Sequence, residues 1–430
     1  MERKALQELL EWKNRPDRQP LIIMGARQTG KTWLMKEFGA RNFKRTAYIP
    51  LDSSRNSKTI FDYSLRPKDI IPLLSAEAGT EINKDTLLIF DEIQAVPNAL
   101  HSLKYFCEEA PEISIMAAGS TLGLSLHEGI SFPVGKTEFY RLRPMDFLEF
   151  LSANSEDGIK NILESRNFSI LNAMHEKIMA LLRQYMLIGG MPEAVSKFLQ
   201  TKDFKQARKI QKKILLAYQN DFAKHASGET AKKISLLWKS LPGQLAKENK
   251  KFIYGAVRPG ARARDFETAL QWLEDSSIIH KLHRAKMPML PLKAYEDFNA
   301  FKVFIFDIGL LCAMSGLDER IILDGDSIFR EFKGALAEQL VMQELVSAGI
   351  SPFYWTADNS QAEVDFLIQH KNQIIPVEAK SGTNLQAKSL KSYIKRFSPQ
   401  TAIRASALPY KQDGTITDLP LYAAGLYFSN

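Results

Sequence analysis

The stretch GARQTGKT, residues 25–32, decides the fold of the first part of the chain, since it matches the pattern G-x-x-x-x-G-K-[ST] at every fixed position. Apolar residues 21–24 precede it, as in a buried parallel strand, and residues 32–38 after it have helical character. In such a loop the backbone N–H groups and the helix N-terminus face the phosphates of a nucleotide, and the lysine reaches the terminal phosphates. The residues predicted to bind the nucleotide are therefore Gly25, Ala26, Arg27, Gln28, Thr29, Gly30, Lys31 and Thr32.

A second apolar run, TLLIF at residues 86–90, ends in the two carboxylates Asp91 and Glu92. In P-loop NTPases an aspartate in this position holds Mg²⁺, together with the hydroxyl of the loop, here Thr32. A carboxylate beside the metal site can orient and deprotonate a water molecule, so Glu92 is the candidate base. The pair favours hydrolysis of the nucleotide over binding alone.

Two further strand ends carry candidate residues for the same site. Residues 113–119 predict a buried strand that delivers Ser120, and residues 139–144 predict the last strand of the sheet, which carries Arg143. Ligands of open α/β sheets lie beyond the carboxyl ends of the strands, so these side chains can converge on the nucleotide. Ser120 would act as a sensor or, alternatively, as an ordinary turn residue. Arg143 would stabilise transition-state charge, in its own subunit or in a neighbouring one, or else is a surface charge.

These motifs together resemble the prokaryotic AAA+-like ATPases. That family shares the loop at residues 25–32, the strand FDEIQ at 90–94, the AGS strand end at 118–120 and the LRP segment at 142–144. The resemblance covers the whole chain, because residues 185–194, YMLIGGMPEA, are similar to the opening signature of the family's C-terminal region of unassigned function. It implies binding and hydrolysis of ATP with Mg²⁺, and it leaves association of identical chains open.

The composition is that of an ordinary globular protein, with 45% hydrophobic and 25% charged residues. A chain of 430 residues exceeds the size of a single core, so we expect three domains at 1–155, 156–330 and 331–430. The two cysteines, Cys107 and Cys312, offer no framework for disulfides or zinc, which suits a reducing cytoplasm. We expect no membrane association, because no segment approaches the ~20 apolar residues of a membrane span.

Positive charge is concentrated in the middle of the chain. The formal net charge is +8, and residues 200–284 contain 18 Lys or Arg against 8 Asp or Glu. Such a region is typical of proteins that bind the phosphate backbone of nucleic acid, here most simply DNA, although a solvated basic face has the same composition. A helix ending near Leu245, a basic loop with Arg262 and Arg264, a second helix and a hairpin predict a winged-helix outline. A small packing domain with a basic exterior is the alternative.

The last hundred residues contain two predicted strands, 362–368 and 374–380, joined by a polar turn. Glu378 and Lys380 lie two residues apart and therefore point to the same face, where Asp365 of the paired strand can join them. This arrangement resembles the core of restriction-endonuclease-like nucleases, with Glu338 in the preceding helix as a fourth member and Val364 where the family often has proline.

The nuclease resemblance implies a particular division of roles. Asp365, Glu378 and the Ala379 carbonyl would hold Mg²⁺ with Glu338 as the fourth member, while Lys380 would polarise the attacking water. A degenerate nuclease fold that binds a partner without cutting it is the alternative.

The sequence as a whole predicts an α/β protein: a P-loop NTPase parallel sheet, then a helical and winged-helix region and a C-terminal α/β nuclease-like domain. Two functions are consistent with this organisation, an ATPase that loads or gates nucleic-acid cleavage and an ATP-controlled switch whose C-terminal domain recognises a partner. A small-molecule kinase is disfavoured, because Glu92 beside Asp91 suits a water nucleophile.

Overall fold

The structure, a computed structural model, describes residues 1–119, 133, 135–226, 228–247, 251–317, 330–357, 362–381 and 388–429. These residues form two units, Met1–Arg143 with Asp275–Ser277, and Pro144–Glu274 with Ile278–Asn430. Among the residues described, no helix has the length and apolar character that crossing a membrane requires.

The first unit is built on a five-stranded sheet in which every pairing is parallel, in the order β2-β3-β4-β1-β5. The strands are β1 (Leu21–Met24), β2 (Arg45–Pro50), β3 (Thr86–Asp91), β4 (Ser114–Ala118) and β5 (Glu138–Arg141). The helices are α1 (Ala5–Asn14), α2 (Lys31–Asn42), α3 (Ser57–Tyr63), α4 (Pro67–Ala78) and α5 (Pro97–Glu109). The predicted P-loop sheet is therefore confirmed.

Both faces of this sheet are covered, which explains why its strands are continuous apolar runs. In β3, Leu88 and Phe90 belong to one hydrophobic cluster, whereas Leu87 and Ile89 belong to another. Successive side chains of a strand point to opposite faces, so these two clusters are the cores on the two sides of the sheet. The carboxyl ends of β1 and β3 consequently meet at one edge, where the loop at residues 25–32 and Asp91 lie.

The second unit begins with helices and ends in a mixed eight-stranded sheet. The helices before the sheet are α6 (Phe147–Ala153), α7 (Asp157–Glu164), α8 (Phe168–Ala173), α9 (His175–Ile188), α10 (Pro192–Thr201), α11 (Phe204–His225), α12 (Gly228–Leu245) and α13 (Ala263–Asp275). The later helices are α14 (Ile308–Met314), α15 (Arg330–Ser347), α16 (Lys388–Phe397) and α17 (Ala424–Phe428).

The sheet of the second unit has the order β12-β13-β11-β10-β9-β8-β6-β7. Its strands are β6 (Ile279–Ala285), β7 (Glu296–Ile305), β8 (Phe353–Thr356), β9 (Glu363–His370), β10 (Gln373–Ala379), β11 (Ala402–Ser406), β12 (Lys411–Asp413) and β13 (Ile416–Pro420). The predicted antiparallel hairpin of β9 and β10 is present.

This sheet crosses the domain boundary that we expected at residue 330. Strand β6 pairs with β7 on one side and, through Arg284 and Tyr354, with β8 on the other. The predicted order of helix, helix and hairpin is found in α12, α13 and the pair β6 and β7, but the hairpin is part of the larger sheet. A pairing between strands about seventy residues apart leaves no local pattern in the sequence.

The segment between α9 and α10 is fixed by backbone contacts within the second unit. Gly190 N–H donates to Asp307 Oδ2 at 2.6 Å, and its carbonyl accepts from Met145 N–H at 2.8 Å. A Cβ at Gly190 would lie 2.0 Å from the Met145 carbonyl oxygen, so only glycine fits. Tyr185 Oη donates to the same Met145 oxygen at 2.8 Å. The signature at residues 185–194 therefore joins helix ends inside this unit.

Candidate nucleotide site and acidic cluster

The loop between β1 and α2 has the backbone of a phosphate-binding loop. Gly25, Gln28 and Gly30 have φ angles of 140°, 64° and 94°, which curl the chain around a space in front of α2. A Cβ at Gly25 would lie 2.2 Å from the carbonyl oxygen of Leu142, and Leu142 N–H donates to Met24 O at 2.8 Å. Glycine is thus required at position 25 because the segment after β5 passes directly against the loop.

Lys31 lies inside this loop with 7% of its surface exposed. Its Nζ donates to the carbonyl oxygens of Gly25 and Ala26, both at 2.9 Å. Burial lowers the pKa of Lys31 to about 8, although the nearby charges of Glu92 and Asp91 act in the opposite direction. An incoming phosphate can replace the two carbonyl partners and would restore the ordinary pKa of the ammonium.

Asp91 and Thr32 meet as the sequence predicts. Thr32 Oγ1 donates to Asp91 Oδ2 at 2.7 Å, across the edge where β3 ends and α2 begins. A hydroxyl and a carboxylate are the hard oxygen ligands that Mg²⁺ prefers, so these two residues fit the ion that the P-loop motif implies. Tyr48 Oη also donates to Asp91 Oδ2, at 2.9 Å.

Sequence reasoning missed Tyr48. Burial and the hydrogen bond to Asp91 raise its pKa well above the usual value, so it remains a donor. Its position on β2 could have indicated this contact, because Pro50, two residues further along the strand, pairs with Asp91 in the parallel register.

Glu92 follows β3 directly and has a φ of 52°, in the left-handed region that costs a non-glycine residue on the order of 1 kcal/mol or more. Its N–H donates to Asp91 Oδ1 at 3.2 Å. Its carboxylate accepts from Gln94 Nε2 at 2.5 Å. The strained turn at Glu92 directs the two carboxylates to different partners. The Asp91 carboxylate accepts from the Thr32 hydroxyl, whereas the Glu92 carboxylate accepts from the Gln94 amide.

Arg143 is linked to the loop through Arg3. The buried Arg3 guanidinium donates from Nη1 to Thr29 O at 3.1 Å and from Nη2 to Arg143 O at 2.7 Å. The side chain of Arg143 is half-buried, and burial together with the charge of Arg141 lowers its pKa. Arg3 carried no motif and was missed. Ser120 lies outside the described residues.

The predicted acidic residues of the second unit are all buried. Glu338 lies on α15, Asp365 on β9 and Glu378 on β10. Asp365 Oδ2 accepts from Ala379 N–H at 2.9 Å, and Glu378 Oε1 lies 2.6 Å from Lys380 Nζ. Burial raises the pKa of Glu378, against the effect of Lys380. Burial lowers the pKa of Lys380, but the charge and hydrogen bond of Glu378, together with the charges of Asp365 and Glu338, outweigh it and the net shift is upward.

A residue that no motif indicated lies among these carboxylates. Lys302 of β7 is completely buried, and its Nζ lies 2.6 Å from Glu363 Oε1, 3.7 Å from Glu338 Oε2 and 3.9 Å from Asp365 Oδ1. Burial lowers its pKa, but the three carboxylates outweigh that effect and raise it above the usual value. The available signal was a single cation within the apolar run AFKVFIF, residues 300–306.

These residues do not fit Mg²⁺ as the nuclease resemblance implies, because an ammonium lies within 4 Å of two of its three predicted carboxylate ligands. In the part of the chain that the structure describes, no group of three or more His, Cys, Asp or Glu side chains is arranged to hold a metal ion.

The basic region contributes exposed cations to the second unit. Arg262 and Arg264 are exposed at the beginning of α13, where Asp265 Oδ2 accepts from Arg262 N–H at 2.9 Å. Some cations of the region form ion pairs, such as Lys233 with Glu229 at 2.8 Å and Arg264 with Asp265 at 4.0 Å.

Comparison with protein families is consistent with a nucleotide site in the first unit. Residues 17–151 match the model of an AAA domain. The chain carries a P-loop, AAA-like ATPase domain. Residues 179–320 and 333–423 match two domains of unknown function, DUF8612 and DUF4143. The comparison with curated proteins found no match.

Several solved structures are similar in fold. A Walker-type ATPase of Pyrococcus abyssi is 15% identical, with a TM-score of 0.46, and the match covers 73% of this chain and 95% of that one. The Aeropyrum pernix ORC1 protein, solved in complex with DNA, is 12% identical with a TM-score of 0.28, covering 72% and 91%. Cdc6p from Pyrobaculum aerophilum is 12% identical with a TM-score of 0.24, covering 73% and 92%.

Proposed function

We propose that the protein binds ATP with Mg²⁺ at residues 25–32 and hydrolyses it. The observation that carries this proposal is the hydrogen bond of 2.7 Å between Thr32 Oγ1 and Asp91 Oδ2, next to the buried ammonium of Lys31. A metal ligand pair and a phosphate-binding cation are thereby assembled at the edge of the sheet where nucleotides bind.

Each residue of the site has a definite task. Thr32 and Asp91 would hold Mg²⁺, which when bound neutralises charge on the phosphates. Lys31 binds the terminal phosphates after exchanging its carbonyl partners for phosphate oxygens. Glu92 accepts a proton from the attacking water, while the amide of Gln94 fixes the carboxylate that receives it.

Two substitutions separate binding from chemistry. Lys31→Ala removes the charge that meets the phosphates, so we expect loss of ATP binding, whereas Glu92→Gln keeps binding but stops turnover. The matched control is Glu112→Gln, the same change at an exposed position beside the opposite, amino-terminal end of β4. Binding is measured by calorimetry and turnover by phosphate release. Normal hydrolysis in both site variants would refute the assignment.

Binding and hydrolysis of ATP would control an activity of the protein on nucleic acid. The support is the excess of 10 positive charges in residues 200–284 and the exposure of Arg262 and Arg264. We expect duplex DNA to bind this region and to change the rate of ATP hydrolysis. If DNA still changes the rate of ATP hydrolysis in an Arg262→Glu/Arg264→Glu variant, DNA acts at another part of the chain.

Identical chains would associate if Arg143 serves a neighbouring nucleotide site, and sedimentation with and without ATP tests this.

A second candidate, a switch that recognises nucleic acid without cutting it, is favoured by the position of Lys302 among the carboxylates of the nuclease-like motif. The nuclease alternative requires a divalent metal at Asp365 and Glu378. Incubation of DNA or RNA with Mg²⁺ or Mn²⁺, with and without ATP, distinguishes the two. We expect no cleavage.

A reducing cytoplasm is the proposed compartment, since Cys107 and Cys312 are free thiols.

A further inference from the structure

We propose that the Lys302 ammonium is the resident cation of a carboxylate site formed by Glu338, Glu363 and Asp365, and that it takes the place of a divalent metal. We call these four residues the lysine-filled site. In a chain that lacks the lysine, the three carboxylates would need another cation to balance their charge. This proposal is independent of ATP hydrolysis.

Three carboxylates from two elements surround the ammonium of the lysine-filled site. Lys302 Nζ lies 2.6 Å from Glu363 Oε1 on β9, 3.7 Å from Glu338 Oε2 on α15 and 3.9 Å from Asp365 Oδ1 on β9. Lys302 reaches them from β7, which is separated from β9 by β6 and β8. The Lys302 ammonium therefore links β7 to β9 and α15, the strand and the helix that carry Asp365 and Glu338.

Charge balance explains why the lysine is tolerated in the apolar second half of β7, residues 300–305. A buried ammonium is stable only when it is paired, and a buried group of carboxylates needs a cation. Lys302 meets both requirements for Glu338, Glu363 and Asp365, while Lys380 is paired with Glu378 at 2.6 Å. Two lysines thus neutralise much of the acidic charge of the motif.

A divalent ion cannot share this position with the ammonium. The distances of Lys302 Nζ to Glu338 and Asp365 are below 4 Å, so an ion bound to the same oxygens would lie close to a positive charge in a low-dielectric environment. The first ligand sphere of Mg²⁺ needs oxygens at about 2.1 Å, which these carboxylates could supply only after the ammonium had left.

Terbium luminescence tests the proposal on the full-length chain, because Tb³⁺ binds carboxylate sites and emits when a nearby aromatic ring is excited. The Tyr354 ring centroid is 5.1 Å from Lys302 Nζ, so an ion in place of the ammonium would lie beside that ring. We expect Lys302→Met to bind one more Tb³⁺ ion per chain than the wild type. Adding Asp365→Asn to this variant should remove the extra ion, whereas Asp365→Asn alone should leave the wild-type signal unchanged.

A second variant keeps the test decisive if Lys302→Met does not fold. Lys302→Met/Glu363→Gln lowers the uncompensated buried charge and retains Glu338 and Asp365, and we expect it to gain the same ion more weakly. A Lys302→Met chain that folds only with Tb³⁺ present, as judged by circular dichroism, supports the proposal equally. A wild-type signal that falls on Asp365→Asn would overturn it, as would the absence of any additional ion in both Lys302 variants.

Discussion

Affinity for ATP should fall steeply between pH 7.5 and pH 9.5, because only the protonated form of Lys31 can pair with the terminal phosphates. Burial lowers the pKa of this lysine from 10.5 to about 8 in the nucleotide-free chain. With that value, about three quarters of the molecules carry the charge at pH 7.5 and about 3% at pH 9.5. The apparent dissociation constant, which is divided by the competent fraction, should therefore rise about 25-fold.

An ordinary lysine gives a different result. With the pKa at 10.5, the charged fraction would still be about nine tenths at pH 9.5, and the affinity would change by only about 1.1-fold. Phosphate groups lose their last proton near pH 6, so the nucleotide contributes little within this range. Tyr48 stays protonated because its pKa is raised, and its hydrogen bond to Asp91 is not the source of the effect.

Calorimetric titration of ATP at half-unit steps from pH 7.5 to pH 9.5 measures the effect. Lys31→Arg is the control, since a guanidinium does not deprotonate in proteins and any residual affinity of that variant should be independent of pH. A wild-type affinity that changes less than about twofold over the range would refute the argument that burial controls this lysine. An equal fall in Lys31→Arg would assign the effect to another group.

Three further predictions concern the second unit. Asp307→Ala should lower the free energy of unfolding by roughly 3 kcal/mol in urea titrations, because it leaves the buried N–H groups of Gly190 and Leu310 without their acceptor, and a loss below about 1 kcal/mol would contradict this. Arg262→Glu/Arg264→Glu should weaken binding to duplex DNA and flatten the dependence of log affinity on log salt, by about 0.9 for each phosphate that the variant no longer neutralises, whereas an unchanged slope would make these arginines a solvated surface. Duplex DNA incubated with the wild type and Mg²⁺ should stay uncut, because Lys302 and Lys380 lie among the acidic side chains, and Mg²⁺-dependent cleavage that is lost in Asp365→Ala would contradict this.

Local patterns predicted the first unit well for a physical reason. A parallel sheet covered on both faces needs apolar runs, and residues 21–24 and 86–90 are such runs. Once the strands are parallel, their polar carboxyl ends fall at one edge, which is why Thr32 and Asp91 could be paired from the sequence alone. Tyr48 and Arg3 were missed, because their contacts depend on strand register and on the path of the N-terminal segment.

The second unit was less predictable because its important contacts are distant in sequence. Lys302 forms ion pairs with residues 36 to 63 positions further along the chain, and no periodicity in a window of ordinary length predicts such pairs. The hairpin of β9 and β10 was found from its turn, and Glu378 and Lys380 from their alternation. The ion pairs of that face, however, include a lysine from β7, outside the domain in which the motif was recognised.

The central claim, ATP hydrolysis that depends on Glu92, is tested most directly by Mg²⁺-dependent phosphate release from ATP by the purified full-length chain and its Glu92→Gln variant, at saturating nucleotide. A general base contributes about 10² to 10⁴ in rate, so the account predicts measurable turnover by the wild type and a loss of at least about 100-fold in Glu92→Gln at unchanged ATP affinity. Equal rates in the two proteins, or no phosphate release from a wild type that binds ATP, would contradict it.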